Sequence, residues 1–190
     1  MAYEDFKTKP SLVIVYTGEN KGKTSASLGL SLRALGQDDW RVAFVQFIKT
    51  WPVGEHKVLK KLEEVYPGRL SLIVGGKGFY NAGDVSAKNV SEDEHKKAAL
   101  KTYDNAKKMA VSGEYNLVVC DEILNAVNDG LLQKSDLLSL IQSKSEKTNL
   151  CLTGRNFPME FLDYVDIATE MVKLKHHYDD KFLANKGIDY

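Results

Sequence analysis

Residues 11–25 read Ser11-Leu12-Val13-Ile14-Val15-Tyr16-Thr17-Gly18-Glu19-Asn20-Lys21-Gly22-Lys23-Thr24-Ser25. The first seven are β-rich and apolar almost throughout, as in a strand covered on both faces. A loop bearing glycine and lysine follows. Residues 24–35 then read as a helix, with Leu28, Leu32 and Leu35 at helical spacing and Gly36 as its C-cap. Gly22-Lys23-Thr24 meets the second half of the phosphate-loop pattern G-x-x-x-x-G-K-[ST]. The first glycine of that pattern would fall at Thr17, and Gly18 stands one place later. The loop is therefore a variant of the motif.

Its chemistry suits a nucleotide. Successive backbone N–H groups at the start of a helix converge on anionic oxygens. Gly22 lets the backbone approach closely, Lys23 carries a point charge to the outer phosphates, and the Thr24 hydroxyl is a ligand for Mg²⁺. Asn20 is expected in a left-handed conformation where many such loops use glycine. The candidate ATP contacts are Thr17, Gly18, Glu19, Asn20, Lys21, Gly22, Lys23, Thr24 and Ser25.

The same alternation continues outward. Strands are predicted at 42–47, 70–74, 117–120 and 149–153, with a sixth near 167–174. Helices are predicted at 54–66, after Ser135, and after the capping box of Ser91 and Glu94. In the last of these, Leu100, Tyr103, Ala106 and Ala110 share a face and Gly113 ends the helix. A Gly-rich stretch at 75–83 reads as a loop. Strand and helix in turn, without a hairpin signal, predict an α/β fold: a mostly parallel sheet with helices on both faces. The fourth strand ends in Asp121-Glu122. Carboxylates there, opposite the loop threonine, suit a Mg²⁺–phosphate site, with Thr24, Asp121 and Glu122 as candidate ligands.

Composition narrows the class. The chain has 190 residues, 26 basic and 26 acidic, so no net charge recommends it as a duplex-DNA binder. Its longest apolar run is five residues, at 12–16, too short to span a bilayer. The polar N-terminus does not read as a secretory signal. Cys120 and Cys151 sit in apolar stretches and are expected as buried free thiols in a reducing, cytoplasmic setting. His56 and His95 lie in polar helical segments and are expected at the surface. His176 and His177 are adjacent and, on a strand, would face opposite sides. The lysines at 96, 97, 107 and 108 are interleaved with acids, which reads as a solvated helix face.

Taken together the motifs resemble those of the ATP:corrinoid adenosyltransferases. The likeness runs from Val13 to Tyr190: the displaced loop with Tyr16 to Thr24, Leu28-Gly29-Leu30, Arg33-Ala34, Val45-Gln46-Phe47-Ile48-Lys49, Gly54-Glu55, Gly78-Phe79, Asp121-Glu122, Thr153-Gly154-Arg155, Glu170-Met171, Lys175-His176 and Gly187-Ile188-Asp189-Tyr190. The family shares the displaced first glycine. The resemblance implies a RecA-like P-loop NTPase fold over 1–190, with 1–10 as a short N-terminal segment, and a homodimer. It implies transfer of the 5′-deoxyadenosyl group of ATP to Co(I) of a corrinoid, cobalamin or cobyrinic acid a,c-diamide, with triphosphate leaving. Lys23, Thr24 and Glu122 are then the catalytic candidates, and Arg33 and Arg155 join the ATP contacts. Phe79, Tyr80 and Asn81 are the candidate corrinoid contacts, with Asn81 where the family has Trp. A reductase or flavin would supply the electrons for Co(I). Leu124, Asn125 and Phe157 also depart from the family pattern. The competing expectations are a P-loop ATPase or kinase, and a non-catalytic nucleotide- or corrinoid-binding protein.

Overall fold

The computed structural model describes residues 5–48, 53–78, 80 and 90–189. Six strands form one sheet: β1 (Val13–Thr17), β2 (Val42–Gln46), β3 (Leu70–Val74), β4 (Leu117–Asp121), β5 (Asn149–Thr153) and β6 (Ile167–Glu170). Their order is β3-β2-β4-β5-β1-β6, and every pairing is parallel. The predicted sheet is thus fully parallel. All loops that follow a strand emerge at one edge, where α/β folds gather ligands.

Strand alternation explains the two cores. Val13, Val15, Ala43, Val45, Val118 and Leu150 face α3 (Glu92–Ser112), α4 (Ile123–Asn128) and α5 (Lys134–Ser143). Ile14, Phe44, Leu117, Val119 and Cys151 face α1 (Lys23–Leu35) and α2 (Gly54–Val65). Helices on both faces bury the sheet, so its central strands are apolar in nearly every position. Cys120 and Cys151 fall on opposite faces of neighbouring strands and stay free. Burial pushes both thiols well above the ordinary cysteine range.

Two helix faces differ from expectation. On α1 the residues turned to the sheet are Ser27, Ser31, Ala34 and Leu35, while Leu32 is exposed. Small residues let the helix lie close to the strands. The buried hydroxyls bond back along the helix, Ser27 Oγ to the Thr24 carbonyl at 2.8 Å and Ser31 Oγ to the Ser27 carbonyl at 2.8 Å. On α3 the buried face is His95, Ala99, Thr102, Tyr103, Ala106 and Ala110, and Leu100 points outward. His56 and His95, expected at the surface, are both buried. The capping box of Ser91 and Glu94 is formed, whereas Gln133 caps α5 in place of Ser135. Past β6, which ends at Glu170, the described residues form no further strand. It runs through a 3₁₀ turn at His177–Asp180 toward the phosphate loop. Among the described residues no helix is long and apolar enough to cross a membrane.

Candidate active site

The loop between β1 and α1 owes its shape to two glycines. Gly18 has φ 104° and Gly22 has φ 112°, values an L side chain rarely adopts. A Cβ on Gly18 would lie 2.6 Å from the Met171 carbonyl oxygen, because the segment after β6 crosses there. The displaced glycine is therefore required by the strand next door. Asn20 does not take the expected left-handed form; Gly18 and Gly22 supply those positions. Its carbonyl instead accepts from Lys23 Nζ at 2.6 Å, as does the Gly18 carbonyl at 2.6 Å.

Lys23 is buried. Burial holds its pKa below the ordinary lysine value, with Arg155 acting the same way against the opposing pull of Glu122, Glu19 and Asp121. Thr24 follows at the first turn of α1. Its hydroxyl donates to Asp121 Oδ1 at 3.0 Å. Asp121 is fully buried at the end of β4 and also accepts from Thr153 Oγ1 at 2.7 Å and Gln46 Nε2 at 2.9 Å. Glu122 then turns the chain in a left-handed conformation, φ 64°, uncommon outside glycine and frequent at functional sites. Its N–H is held by Thr153 Oγ1 at 2.9 Å, and its carboxylate accepts from Asn125 Nδ2.

The phosphate loop and the turn after β4 border a cleft of about 920 Å³. Glu19, Asn20, Lys21, Gly22, Lys23, Thr24, Ser25, Glu122 and Arg155 all line it. Arg155 pairs with Glu19 at 3.3 Å across its mouth. Leu32 of α1 lines another part with Val58 and Leu62 of α2, which explains why that leucine leaves the core, while Leu28 lines the cleft and still packs against the core on that side of the sheet. Thr17 and Gly18 sit behind the loop and line a separate recess of about 400 Å³. There Thr17 Oγ1 accepts from the Phe157 N–H at 3.1 Å.

Other candidates lie elsewhere. Arg33 is exposed on α1, electrostatically close to Tyr16, and does not line the cleft. Tyr80 packs on the α3 side of the core with its ring 5.1 Å from that of His95, away from the cleft. Phe79 and Asn81 lie outside the described residues. His176 and His177 are not on a strand; their rings stack at 4.7 Å.

The oxygens of Thr24, Asp121 and Glu122 are hard donors of the kind Mg²⁺ takes. Asp121 is deeply buried and already shared among three donors, which suits an outer role, while Thr24 and Glu122 reach the cleft. Among the described residues no group of three His, Cys, Asp or Glu forms a self-sufficient metal cage.

The family model described as ATP:corrinoid adenosyltransferase BtuR/CobO/CobP matches residues 9–190. The chain belongs to that family. Among the relatives of this ATP:corrinoid adenosyltransferase family member, Corrinoid adenosyltransferase CobA of Salmonella typhimurium is 30% identical over 180 residues. That alignment covers 94% of this chain and 85% of the relative. Corrinoid adenosyltransferases of Escherichia coli and Pseudomonas aeruginosa are each 29% identical over 94% of this chain, with 85% and 83% of their own lengths covered.

Family membership gives meaning to the departures. Leu124 and Phe157 are buried core residues, so their changes belong to packing. Asn125 is different: it lines the cleft, donates to Glu122 and accepts the Arg155 N–H at 2.7 Å. Gln46, given no role from the sequence, turns out to orient Asp121. The available signal was a lone amide closing an otherwise apolar strand, since a buried amide must find partners.

Proposed function

We propose that this chain transfers the 5′-deoxyadenosyl group of ATP to the Co(I) of a corrinoid in cobalamin metabolism. The observation that carries the reading is the Thr24 hydroxyl set on the Asp121 carboxylate beside Lys23, in a chain of this family. The electron pair of Co(I) forms a bond to ribose C5′, the C5′–O bond breaks, and triphosphate leaves with the electrons of that broken bond. No water or hydroxyl needs activating, so the protein's contribution is orientation and charge neutralisation. Lys23 releases the two loop carbonyls and turns its ammonium to the triphosphate. The amides of residues 18–24 hold phosphate oxygens, and Arg155 adds charge from the mouth. Mg²⁺, when bound, neutralises the leaving triphosphate, and Thr24 and Glu122 would hold it with Asp121 behind them.

The same proposal includes one RecA-like adenosyltransferase domain over 1–190, and either cobalamin or cobyrinic acid a,c-diamide as acceptor. It includes a homodimer, supported by the exposed edge strand β6 and by Leu174, Leu183 and Ile188, 98%, 81% and 82% exposed. A separate reductase or reduced flavin supplies Co(I). A cytoplasmic location is supported by the two free cysteines.

The test is an anaerobic absorbance time course with cob(I)alamin, ATP and Mg²⁺. Loss of the Co(I) band, a light-sensitive product and release of triphosphate are expected. A stable Co(I) band with release of ADP or orthophosphate would replace the proposal with an ATPase or kinase.

A further inference from the structure

A buried chain of side-chain hydrogen bonds leads away from the phosphate loop. Asp121 is fully buried, and a carboxylate only accepts. Its Oδ1 takes Thr153 Oγ1 at 2.7 Å and Thr24 Oγ1 at 3.0 Å; its Oδ2 takes Gln46 Nε2 at 2.9 Å. The Gln46 amide must therefore turn its nitrogen to Asp121, which leaves Oε1 toward His56. His56 Nε2 is hydrogen-bonded to that oxygen, and since the amide oxygen only accepts, Nε2 carries the proton. Gln46 is fully buried and His56 nearly so.

The consequence falls on Thr24. Its single hydroxyl proton is committed to Asp121, so the lone pairs of Oγ1 are what it presents to the cleft. A carboxylate gripped at both oxygens cannot rotate. Without Gln46, the only remaining contact of Oδ2 with a side-chain donor among the described residues would be the longer one from Thr24, at 3.3 Å. His56 belongs to α2, whose Glu55, Val58 and Leu62 form a wall of the same cleft. The wall and the loop threonine are thus joined by one line of hydrogen bonds.

The structure assigns Gln46 and His56 as positioning residues that lock Asp121, and through it the Thr24 hydroxyl, in the orientation that accepts magnesium with the triphosphate. This rests on the function proposed above. Neither residue lines the cleft. They act on how far magnesium strengthens nucleotide binding, while metal-free ATP still meets the loop amides and Lys23. The buried amide bond to a carboxylate is of the charge-assisted kind, so its loss is expected to weaken Mg–ATP binding by about tenfold.

The experiment is calorimetric titration of the full chain with ATP, in magnesium and in chelator, for wild type and for Gln46→Leu, His56→Leu and His56→Gln. Gln46→Leu and His56→Leu should lose about tenfold in magnesium and less than about twofold in chelator. His56→Gln retains an N–H donor for Gln46 and should recover most of the loss. If Gln46→Leu fails to fold, judged by circular dichroism, the two His56 variants decide. Equal losses with and without magnesium, no loss at all, or a wild type whose ATP binding is indifferent to magnesium each overturn the assignment. Adenosyl transfer is measured alongside: its absence in wild type refutes the proposed reaction, while the magnesium effect on binding is still read.

Discussion

Two regions border the same cleft and are built in opposite ways. At the phosphate end, Lys23, Gln46 and Asp121 are charged or polar and buried; Lys23 is held by two carbonyls of its own loop, and Gln46 and Asp121 by partners from other elements. At the far wall, the segment after β6 carries Leu174, Phe182, Leu183 and Ile188 exposed, is tied to the loop by Lys21 with Asp189, and is braced within itself by Lys173 with Asp179. The first region is rigid because the sheet dictates its geometry and an unpaired buried charge is costly. The second is held by contacts that water and salt compete for. Precise orientation of phosphate thus sits on the strand ends, and adaptable contact sits on the chain that closes over them.

The largest effect should come from Lys23→Ala. Turnover is expected to fall about 100- to 1000-fold, the usual loss when a donor to developing charge is removed. The thermal unfolding midpoint should not drop, because a buried ammonium is a cost to the fold. A rate within about threefold of wild type would place the charge elsewhere.

Asp121→Ala tests the buried end by stability. It strips three donors of their acceptor, and urea unfolding should show a loss of about 3 kcal/mol. A loss of only a few tenths would mean that the strand ends are no more rigid than the tail.

The thiols sharpen the same contrast. Cys120 and Cys151 should resist a thiol reagent in the native protein and both react after unfolding, because burial keeps them protonated and out of reach. Prompt native labelling would show the sheet opening locally.

The smallest effect concerns the tail. The Lys21 ammonium and the Asn185 N–H hold the Asp189 carboxyl below the ordinary aspartate value. A depressed carboxyl contributes stability that is complete above its unfolded value of about 3.9 and lost as pH falls through its folded value. Pepsin cleavage of the tail should therefore rise in strong acid, and Asp189→Asn, which has no carboxyl to protonate, should show the raised cleavage across the whole acid range. An unchanged profile would mean that this pair does not dock the tail.

The residues differ in how far their roles were legible beforehand. β1, β5 and the capping box of α3 could be read because each rests on a local pattern: an apolar run, or a serine three places before a glutamate. The loop could be read despite its displaced glycine because Gly22-Lys23-Thr24 combines backbone, charge and hydroxyl in sequence. His56 and His95 misled because their neighbours in sequence are polar, whereas their neighbours in space are Gln46 and the ring of Tyr80. Leu32 misled for the converse reason: helical spacing finds an apolar stripe but not whether sheet or cleft receives it. Arg33 illustrates the same limit, since one helix step separates a residue lining the cleft from one turned to solvent.

By itself the sequence determined the alternation of strand and helix, the phosphate loop and the carboxylates that end β4, because these depend on contacts a few residues apart. Only the tertiary structure decided which face each helix buries, that Gly18 is needed because Met171 crosses it, and that Gln46 and His56 stand behind Asp121. Those outcomes depend on groups brought together from strands and helices tens of residues apart, and burial makes each unsatisfied donor or acceptor costly enough to select one arrangement.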